Sequence, residues 1–150
     1  MENQIDVSKS DVKDVGKVVG SHVGEKVFII DDDSFLTNMY TLKFKQQGFV
    51  VEIASSGPMA LEKLKSGYKP DLMLVDVVMP AMDGLEYLEA VRKDHLADDT
   101  VIIVLTNQSQ QTDIERAKKI GVHGYIIKAS TIPSEVLAET IKVLDASKKK

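Results

Sequence analysis

The sequence predicts an α/β fold, in which a doubly wound sheet of five parallel strands carries helices on both faces. Three observations support this prediction. Short apolar runs alternate with longer segments of helical periodicity, glycine or proline marks most of the junctions, and no internal repeat interrupts the alternation. The length of 150 residues suits one domain with a substantial buried core.

The apolar runs predict five strands, and the segments between them predict five helices. The strands are expected at Lys26–Ile30, Phe49–Ala54, Leu72–Val75, Val101–Leu105 and Gly124–Ile127. The helices are expected at Phe35–Phe44, Gly57–Leu64, Gly84–His95, Gln110–Ile120 and Pro133–Leu144. Right-handed crossovers leave few ways to wind such a chain, and the flavodoxin-like strand order 2-1-3-4-5 is the leading candidate.

Residues 1–24 differ from the rest of the chain. Their apolar residues are mostly valines, and Gly16, Gly20 and Gly24 interrupt them, so helix propensity is low and no period of two appears. We therefore predict a mobile arm at residues 1–24, with a docked or self-associating helix as the alternative. The predicted domain spans residues 25–147, and Lys148 to Lys150 form a basic tail that suits a helix C-terminus.

Composition excludes several classes of protein. No apolar run approaches the ~20 residues of a membrane-spanning helix, and the N-terminus lacks the pattern of a secretory signal. The chain has no cysteine, which excludes disulfides, thiolate metal sites and cysteine nucleophiles and fits a cytoplasmic protein. A net charge of −4 argues against a general nucleic-acid binder. We expect neither membrane nor nucleic acid among its partners.

Polar side chains follow four of the predicted strands. Asp31 and Asp32 follow the first strand, Asp76 the third, Thr106 the fourth and Lys128 the fifth. Each has an ordinary structural explanation by itself, as a cap, a turn residue or a solvated strand end. Because the carboxyl ends of parallel strands share one edge, with the topological switch point between strands one and three, we expect these side chains to converge. The other acids of these turns are interpreted as cap and turn residues: Asp33, Asp71 and Asp83.

Such a cluster of carboxylates needs positive charge. Two carboxylates ~4 Å apart repel by about 4 kcal/mol at an effective dielectric constant of 20. Lys128 offers one positive charge, and oxygen ligands without histidine or cysteine suit Mg²⁺ or Mn²⁺ better than Zn²⁺. A hard cation, the Thr106 hydroxyl and an ammonium around one aspartate predict phosphoryl transfer, with Asp76 as the nucleophile.

On these residues the chain resembles the receiver domain of bacterial two-component response regulators, the CheY-like fold, from about Lys26 to Ser147. The motifs that carry the resemblance are Ile29–Asp33, Leu74–Asp76 with Met79–Gly84, Val104–Thr106 and Gly124–Lys128. The resemblance implies a phosphoacceptor rather than an enzyme, in which Asp76 takes a phosphoryl group from a histidine kinase or phosphotransfer protein. Because only a few residues follow the last helix, we expect a stand-alone receiver.

The resemblance also implies a role for each site residue. Asp31 and Asp32 are expected to hold Mg²⁺, with Asp76 and the backbone carbonyl of Val78 completing the protein ligands. Thr106 and Lys128 are expected to contact the phosphoryl oxygens, catalysing phosphorylation and dephosphorylation of the domain itself.

Tyr125 matches the switch aromatic of the family, which turns inward when Thr106 moves toward the phosphate. A local charge would then bias a two-state surface on the fourth helix, fifth strand and fifth helix, where a downstream protein partner is expected.

The sequence departs from the family pattern at two positions. Asn107 stands where the family usually has a small residue, and Ala129 follows Lys128 where it usually has proline. Asn107 leaves the lifetime of the phosphoryl group open. Ala129 leaves open the conformation of the peptide bond after Lys128, and with it the position of Lys128. Val78 and Gln108 occupy positions that tune dephosphorylation in the family.

Two alternatives remain at this point. In a haloacid-dehalogenase-type phosphatase, Asp31–Asp33 would form the Asp-x-Asp signature with Asp31 as nucleophile, but that family needs a further acidic motif after the lysine. Here only Glu135, Glu139 and Asp145 follow, all on the last predicted helix. The other alternative is a receiver-fold binding module that acts without phosphorylation.

Overall fold

The computed structural model describes residues 22–107, 110–128 and 131–148. Within these ranges the chain forms one parallel sheet with the strand order β2-β1-β3-β4-β5, which confirms the predicted topology. The strands are β1 (Lys26–Ile30), β2 (Val50–Ala54), β3 (Leu72–Asp76), β4 (Val101–Thr106) and β5 (Gly124–Ile127). The helices are α1 (Ser34–Gln46), α2 (Gly57–Lys65), α3 (Gly84–Lys93), α4 (Gln111–Ile120) and α5 (Pro133–Lys148).

The sheet lies between two helical layers. Successive side chains of a strand point to opposite faces, so the buried apolar runs of β1, β3 and β4 supply two separate cores. Phe28, Met73 and Ile102 belong to the core beneath α2, α3 and α4, whereas Ile29 and Leu74 belong to the core beneath α1 and α5. In the part of the chain that the structure describes, no helix is both long and apolar enough to cross a bilayer.

Helix α1 forms where predicted, but it presents a different face to the sheet. The apolar positions that predicted this helix include Phe35 and Leu42, whose side chains are 70% and 64% exposed. Its buried positions lie three and four residues apart, which is the spacing of one helix face. They are Thr37, Tyr40 and Phe44.

Two of the acids interpreted as cap residues are confirmed as helix N-caps. The Asp33 side chain accepts a hydrogen bond of 3.1 Å from the backbone N–H of Leu36, at the start of α1. At the start of α3 the Asp83 side chain accepts from the N–H of Glu86, and the Glu86 carboxylate accepts from the N–H of Asp83. This reciprocal capping box fixes where the helix after β3 begins.

The described chain starts with a buried residue. The His22 ring stacks on Phe49 with ring centroids 5.1 Å apart, and its Nδ1 lies 2.7 Å from Glu25 Oε1. Lys148, placed by the sequence in a basic tail, is the last residue of α5, and its Nζ lies 2.9 Å from Glu25 Oε2. Residues 1–21 and 149–150 lie outside the described residues, and the mobile arm stays a prediction.

Gly84 sits where α3 passes closest to β3. A Cβ atom at this position would collide with the Asp76 carbonyl oxygen and would lie 2.9 Å from its carbonyl carbon. Backbone atoms cannot yield as a flexible side chain can. Any side chain at residue 84 must therefore push the start of α3 away from the strand that carries Asp76.

We expect Gly84→Ala to lower the free energy of unfolding by about 2–3 kcal/mol, because overpacking against backbone forces the elements apart. Urea denaturation measures this loss. Gly57→Ala is the matched control, since its Cβ would meet the flexible Met82 side chain, with Sδ at 2.8 Å. Equal losses in the two variants would contradict the assigned close approach.

Candidate functional site

Three carboxylates meet at the carboxyl edge of the sheet. Asp31 directly follows β1, Asp76 ends β3, and these two strands are neighbours. One oxygen from each of Asp31, Asp32 and Asp76 lies within 4.8 Å of the others. Asp31 and Asp76 are 1% and 3% exposed, whereas Asp32 is exposed. The structure thus brings together the three acids that the sequence placed at this edge.

Lys128 reaches the same cluster from the end of β5. Its Nζ lies 3.0 Å from Asp31 Oδ2 and 3.4 Å from Asp76 Oδ1. The other Asp31 oxygen accepts a hydrogen bond of 2.9 Å from the backbone N–H of Asp33. Asp31 is therefore held at both oxygens, and the ammonium bridges the two buried carboxylates.

The charges of the site shift the pKa values of its members. Burial raises the pKa of Asp76 to about 6, the Asp31 carboxylate adds to this shift, and the Lys128 ammonium opposes it. Burial acting alone would lower the pKa of Lys128, but the Asp31 carboxylate and its hydrogen bond leave that pKa raised. At neutral pH the lysine is charged and Asp76 is mostly ionised, so the cluster has more negative than positive charge.

The donor atoms fit a hard divalent cation. The cluster offers carboxylate oxygens within reach of one another, and among the described residues no histidine belongs to it. Oxygen-only donor sets suit Mg²⁺ and Mn²⁺, whereas Zn²⁺ prefers nitrogen and sulfur. Val78 lies two residues after Asp76 with its side chain exposed, and the role of its backbone carbonyl stays a prediction.

Thr106 and Asn107 line a small cavity beside the cluster. In the sheet, Asp76 pairs with Leu105 of β4. The buried Thr106 is the next residue of β4. The cavity measures about 230 Å³ and is bordered by Val78, Thr106, Asn107, Gln110 and Asp113. The exposed Asn107 borders this cavity, and its effect on the lifetime of the phosphoryl group stays a prediction. Gln108, which occupies a position that tunes dephosphorylation in the family, and Ala129, which bears on the position of Lys128, lie outside the described residues.

Tyr125 lies beside Thr106. In register it pairs with Val104 of β4, and its hydroxyl oxygen is shielded from solvent. Burial raises the pKa of Tyr125, and the Thr106 side chain opposes that shift. The two residues assigned to a switch are therefore in contact range, and their role in switching stays a prediction.

Tyr40 was missed by the sequence-based prediction of the site. Burial raises the pKa of its hydroxyl, the Lys128 ammonium opposes this shift, and the Asp31 and Asp76 carboxylates add to it. The available signal was a tyrosine in the helix that follows the acidic pair, because a buried tyrosine usually directs its hydroxyl toward a polar region.

Comparison with known proteins gives a consistent family assignment. The family model described as response regulator receiver domain matches residues 27–142. The regulator of RpoS from Escherichia coli K12 is 33% identical over 106 residues, which cover 71% of this chain and 31% of that protein. The DNA-binding response regulator MtrA from Mycobacterium tuberculosis H37Rv is 28% identical over 114 residues, covering 76% of this chain and 48% of that protein. The chain thus spans less than half the length of these relatives.

Solved structures show the same fold along nearly their whole length. A CheY-like receiver domain protein from Methanospirillum hungatei JF-1 superposes with a TM-score of 0.76 at 26% identity, covering 84% of this chain and 98% of the other. The chemotaxis protein CheY4 from Vibrio cholerae gives 0.73 at 29% identity, covering 81% and 99%.

The raised pKa of Asp76 makes stability depend on pH. The folded protein binds the Asp76 proton more tightly than the unfolded chain does. Below pH ~4 the carboxyl group is protonated in both states and leaves the free energy of unfolding unchanged. As pH rises from there through about 6, ionisation of Asp76 destabilises the fold. The stability gained by Asp76→Asn should therefore grow between pH 4 and pH 7.5, by at most about 3 kcal/mol for a shift of this size. Urea denaturation without divalent cations measures it.

Asp99→Asn is the control for that experiment, because Asp99 is exposed and precedes β4 at the opposite edge of the sheet. A constant difference between wild type and Asp76→Asn across the range would contradict the raised pKa.

Proposed function

The chain belongs to the response regulator receiver domain family, and from that membership we propose that it is a cytoplasmic phosphorelay protein whose Asp76 accepts a phosphoryl group. The donor would be a phosphohistidine of a histidine kinase or phosphotransfer protein. The observation that carries the proposal is the buried Asp76 carboxylate within reach of two further acids and the Lys128 ammonium.

The chemistry proposed for Asp76 is nucleophilic. One carboxylate oxygen attacks the phosphorus atom, the P–N bond to the donor histidine breaks, and the imidazole leaves with the electron pair. The product is an acyl phosphate. With a pKa of about 6, Asp76 is ionised above that pH and available as the nucleophile.

The surrounding residues would balance the charge that arrives. Asp31, Asp32 and Asp76 would hold Mg²⁺, with the Val78 carbonyl as a further ligand, and the bound ion supplies Lewis-acid neutralisation of phosphoryl oxygens. Lys128 stays paired with Asp31 at 3.0 Å while its contact with Asp76, at 3.4 Å, is exchanged for a phosphoryl oxygen. The Thr106 hydroxyl would donate to another oxygen.

The proposed output surface consists of α4, β5 and α5. A cavity of about 420 Å³ lies on it, bordered by Tyr125, Ile126, Thr131, Glu135, Ala138 and Glu139. Movement of Thr106 toward the phosphoryl group would change the packing of Tyr125 at this cavity. The carboxylates of Glu135 and Glu139 favour a partner protein that presents a basic side chain beside an apolar one.

The donor protein would dock at the start of α1 and the start of α5, next to the output cavity. Phe35 and Ile132 lie at the N-terminal ends of α1 and α5, which pack against each other, and both side chains are exposed. These ends face the sheet edge that carries Asp76. Exposed apolar side chains beside an acceptor suit the apolar surface of a donor helix.

We expect acetyl phosphate and Mg²⁺ to add the mass of one phosphoryl group to the wild-type chain and none to Asp76→Asn, as intact-mass spectrometry measures. Asp99→Asn should gain the group as wild type does. Absence of a gain in the wild type, with Mg²⁺ binding shown by titration, would contradict the proposal and favour the module that binds partners without phosphorylation.

Phe35→Ala should slow transfer from a phosphorylated histidine kinase about tenfold, the effect of losing one central apolar contact. Phosphorylation by acetyl phosphate should stay at the wild-type rate, because Phe35 is expected to contact only the donor protein. Leu42→Ala is the matched control, an equally exposed position farther along α1. If both variants, or neither, slow protein-to-protein transfer, donor docking at the start of α1 is wrong.

A further inference from the structure

The first described residue is fixed to the domain and has the geometry of a helix end. His22 has a helical backbone, and Val23 and Gly24 form the turn that follows it. Gly24 has a φ of +87°, the left-handed conformation that commonly follows the last residue of a helix. The His22 side chain is buried: its ring stacks on Phe49 just after α1, and its Nε2 lies 3.8 Å from Asp145 Oδ1 of α5. The chain therefore enters the domain beside the C-terminal ends of α1 and α5.

The residues before His22 have the pattern of an amphipathic helix. The positions three, four, seven and ten residues before His22 are all valines, and a helix places these positions on the same face as His22. Asp11 precedes the first of them, and aspartate is a preferred N-cap, so both limits of a helix over residues 12–22 have their usual signals. Lys13 and Lys17 lie on the opposite face. The four valines are Val12, Val15, Val18 and Val19.

The valine face must be covered for such a helix to be stable. Its β-branched side chains and two glycines, Gly16 and Gly20, lower the helix propensity of residues 12–22. The stability of the helix would therefore come from tertiary packing of its apolar face. Because that face includes the buried His22, the valines would lie on the side of the helix that faces the domain.

Helix α1 offers an apolar surface next to His22. Within the described ranges, α1 is the only helix with two exposed large apolar side chains, Phe35 and Leu42. The half-buried Met39 lies between them in the sequence, and intervals of four and three residues place all three side chains on one face. This stripe faces solvent, opposite the buried face of α1.

The length and direction of the chain bring the two apolar faces together. Helix α1 runs from the carboxyl edge of the sheet to the amino edge, and His22 lies at the amino edge, beside Phe49. Ten residues of helix span about 15 Å. A helix that ends at His22 and lies along α1 therefore passes Leu42 and begins near Met39, short of Phe35.

We propose that residues 12–22 form an amphipathic helix that docks parallel to α1, with its valine face on Leu42 and Met39. The occupant of this exposed stripe is thus the chain's own N-terminal segment. The inference replaces the mobile arm expected at residues 1–24 by its alternative, a docked helix. It goes beyond the proposed function and does not rest on it, because Phe35 and the acceptor edge stay uncovered.

The first test introduces a pair of cysteines into the full chain, which has none of its own. Val15→Cys is combined with Leu42→Cys, because the docked helix brings these positions close enough for a disulfide. Lys13→Cys with Leu42→Cys is the matched control, since Lys13 lies on the opposite face of the same helix. Under a mild oxidant we expect the intramolecular disulfide to form at least about tenfold faster in the first pair, where docking orients the two sulfur atoms. Intact mass and non-reducing electrophoresis follow the reaction.

The second test uses the methyl NMR signals of two methionines in the full chain. Met39 lies in the proposed contact, whereas the exposed Met59 belongs to α2 on the opposite face of the sheet. Val15→Asp places a charge in the valine face and should undock the helix, so that the Met39 signal shifts. Lys13→Asp changes the charge of the solvent face and should leave the Met39 signal unchanged. The Met59 signal should be unchanged in both variants.

A disulfide that links two chains would overturn the inference in favour of a second copy as the occupant of the stripe. Equal rates in the two cysteine pairs, or an unchanged Met39 signal in Val15→Asp, would overturn it in favour of the mobile arm. Neither measurement involves a phosphoryl group, so a failure of this inference and a failure of the proposed function are distinguishable.

Discussion

The buried pair of like charges at the end of β1 and β3 is the constraint on which the rest of the site depends. Asp31 follows β1 and Asp76 ends the adjacent parallel strand β3, and both side chains are almost completely buried. Burial and then the Asp31 carboxylate raise the pKa of Asp76 to about 6, and the Lys128 ammonium at 3.0 and 3.4 Å offsets only part of this shift. The site thus carries more negative than positive charge, and its carboxylate oxygens could hold a cation.

The backbone around Asp76 ties this point to neighbouring elements. The N–H of Val77 donates to the Leu105 carbonyl at 2.9 Å, and the N–H of Gly84 donates to the Val77 carbonyl at 2.8 Å. The first bond joins the segment after Asp76 to β4, next to Thr106, and the second joins it to the start of α3. These two bonds connect the segment after Asp76 to β4 and to α3, and Thr106 and Tyr125 lie next along the sheet.

Sequence patterns were sufficient to predict the fold and the acidic site, because both depend on where the strands lie and where they end. Apolar runs locate the strands. Residues that directly follow parallel strands share one edge of the sheet, so the proximity of Asp31, Asp76 and Lys128 could be predicted. The face of α1 was harder, since Phe35 and Leu42 are as apolar as any core residue and only tertiary packing decides that Tyr40 turns inward. The burial of Tyr40 follows from that rotation, which no period in the sequence specifies.

The ion pair between Glu25 and Lys148 determines where the two limits of the described chain lie. Glu25 lies just before β1 and Lys148 ends α5, and their 2.9 Å ion pair brings the two limits of the described chain together. This junction is at the amino edge of the sheet, the full length of the strands away from Asp76. The two limits of the described chain are thus close together at the edge of the sheet remote from the carboxylates, a geometry that suits insertion into a longer protein or circular permutation.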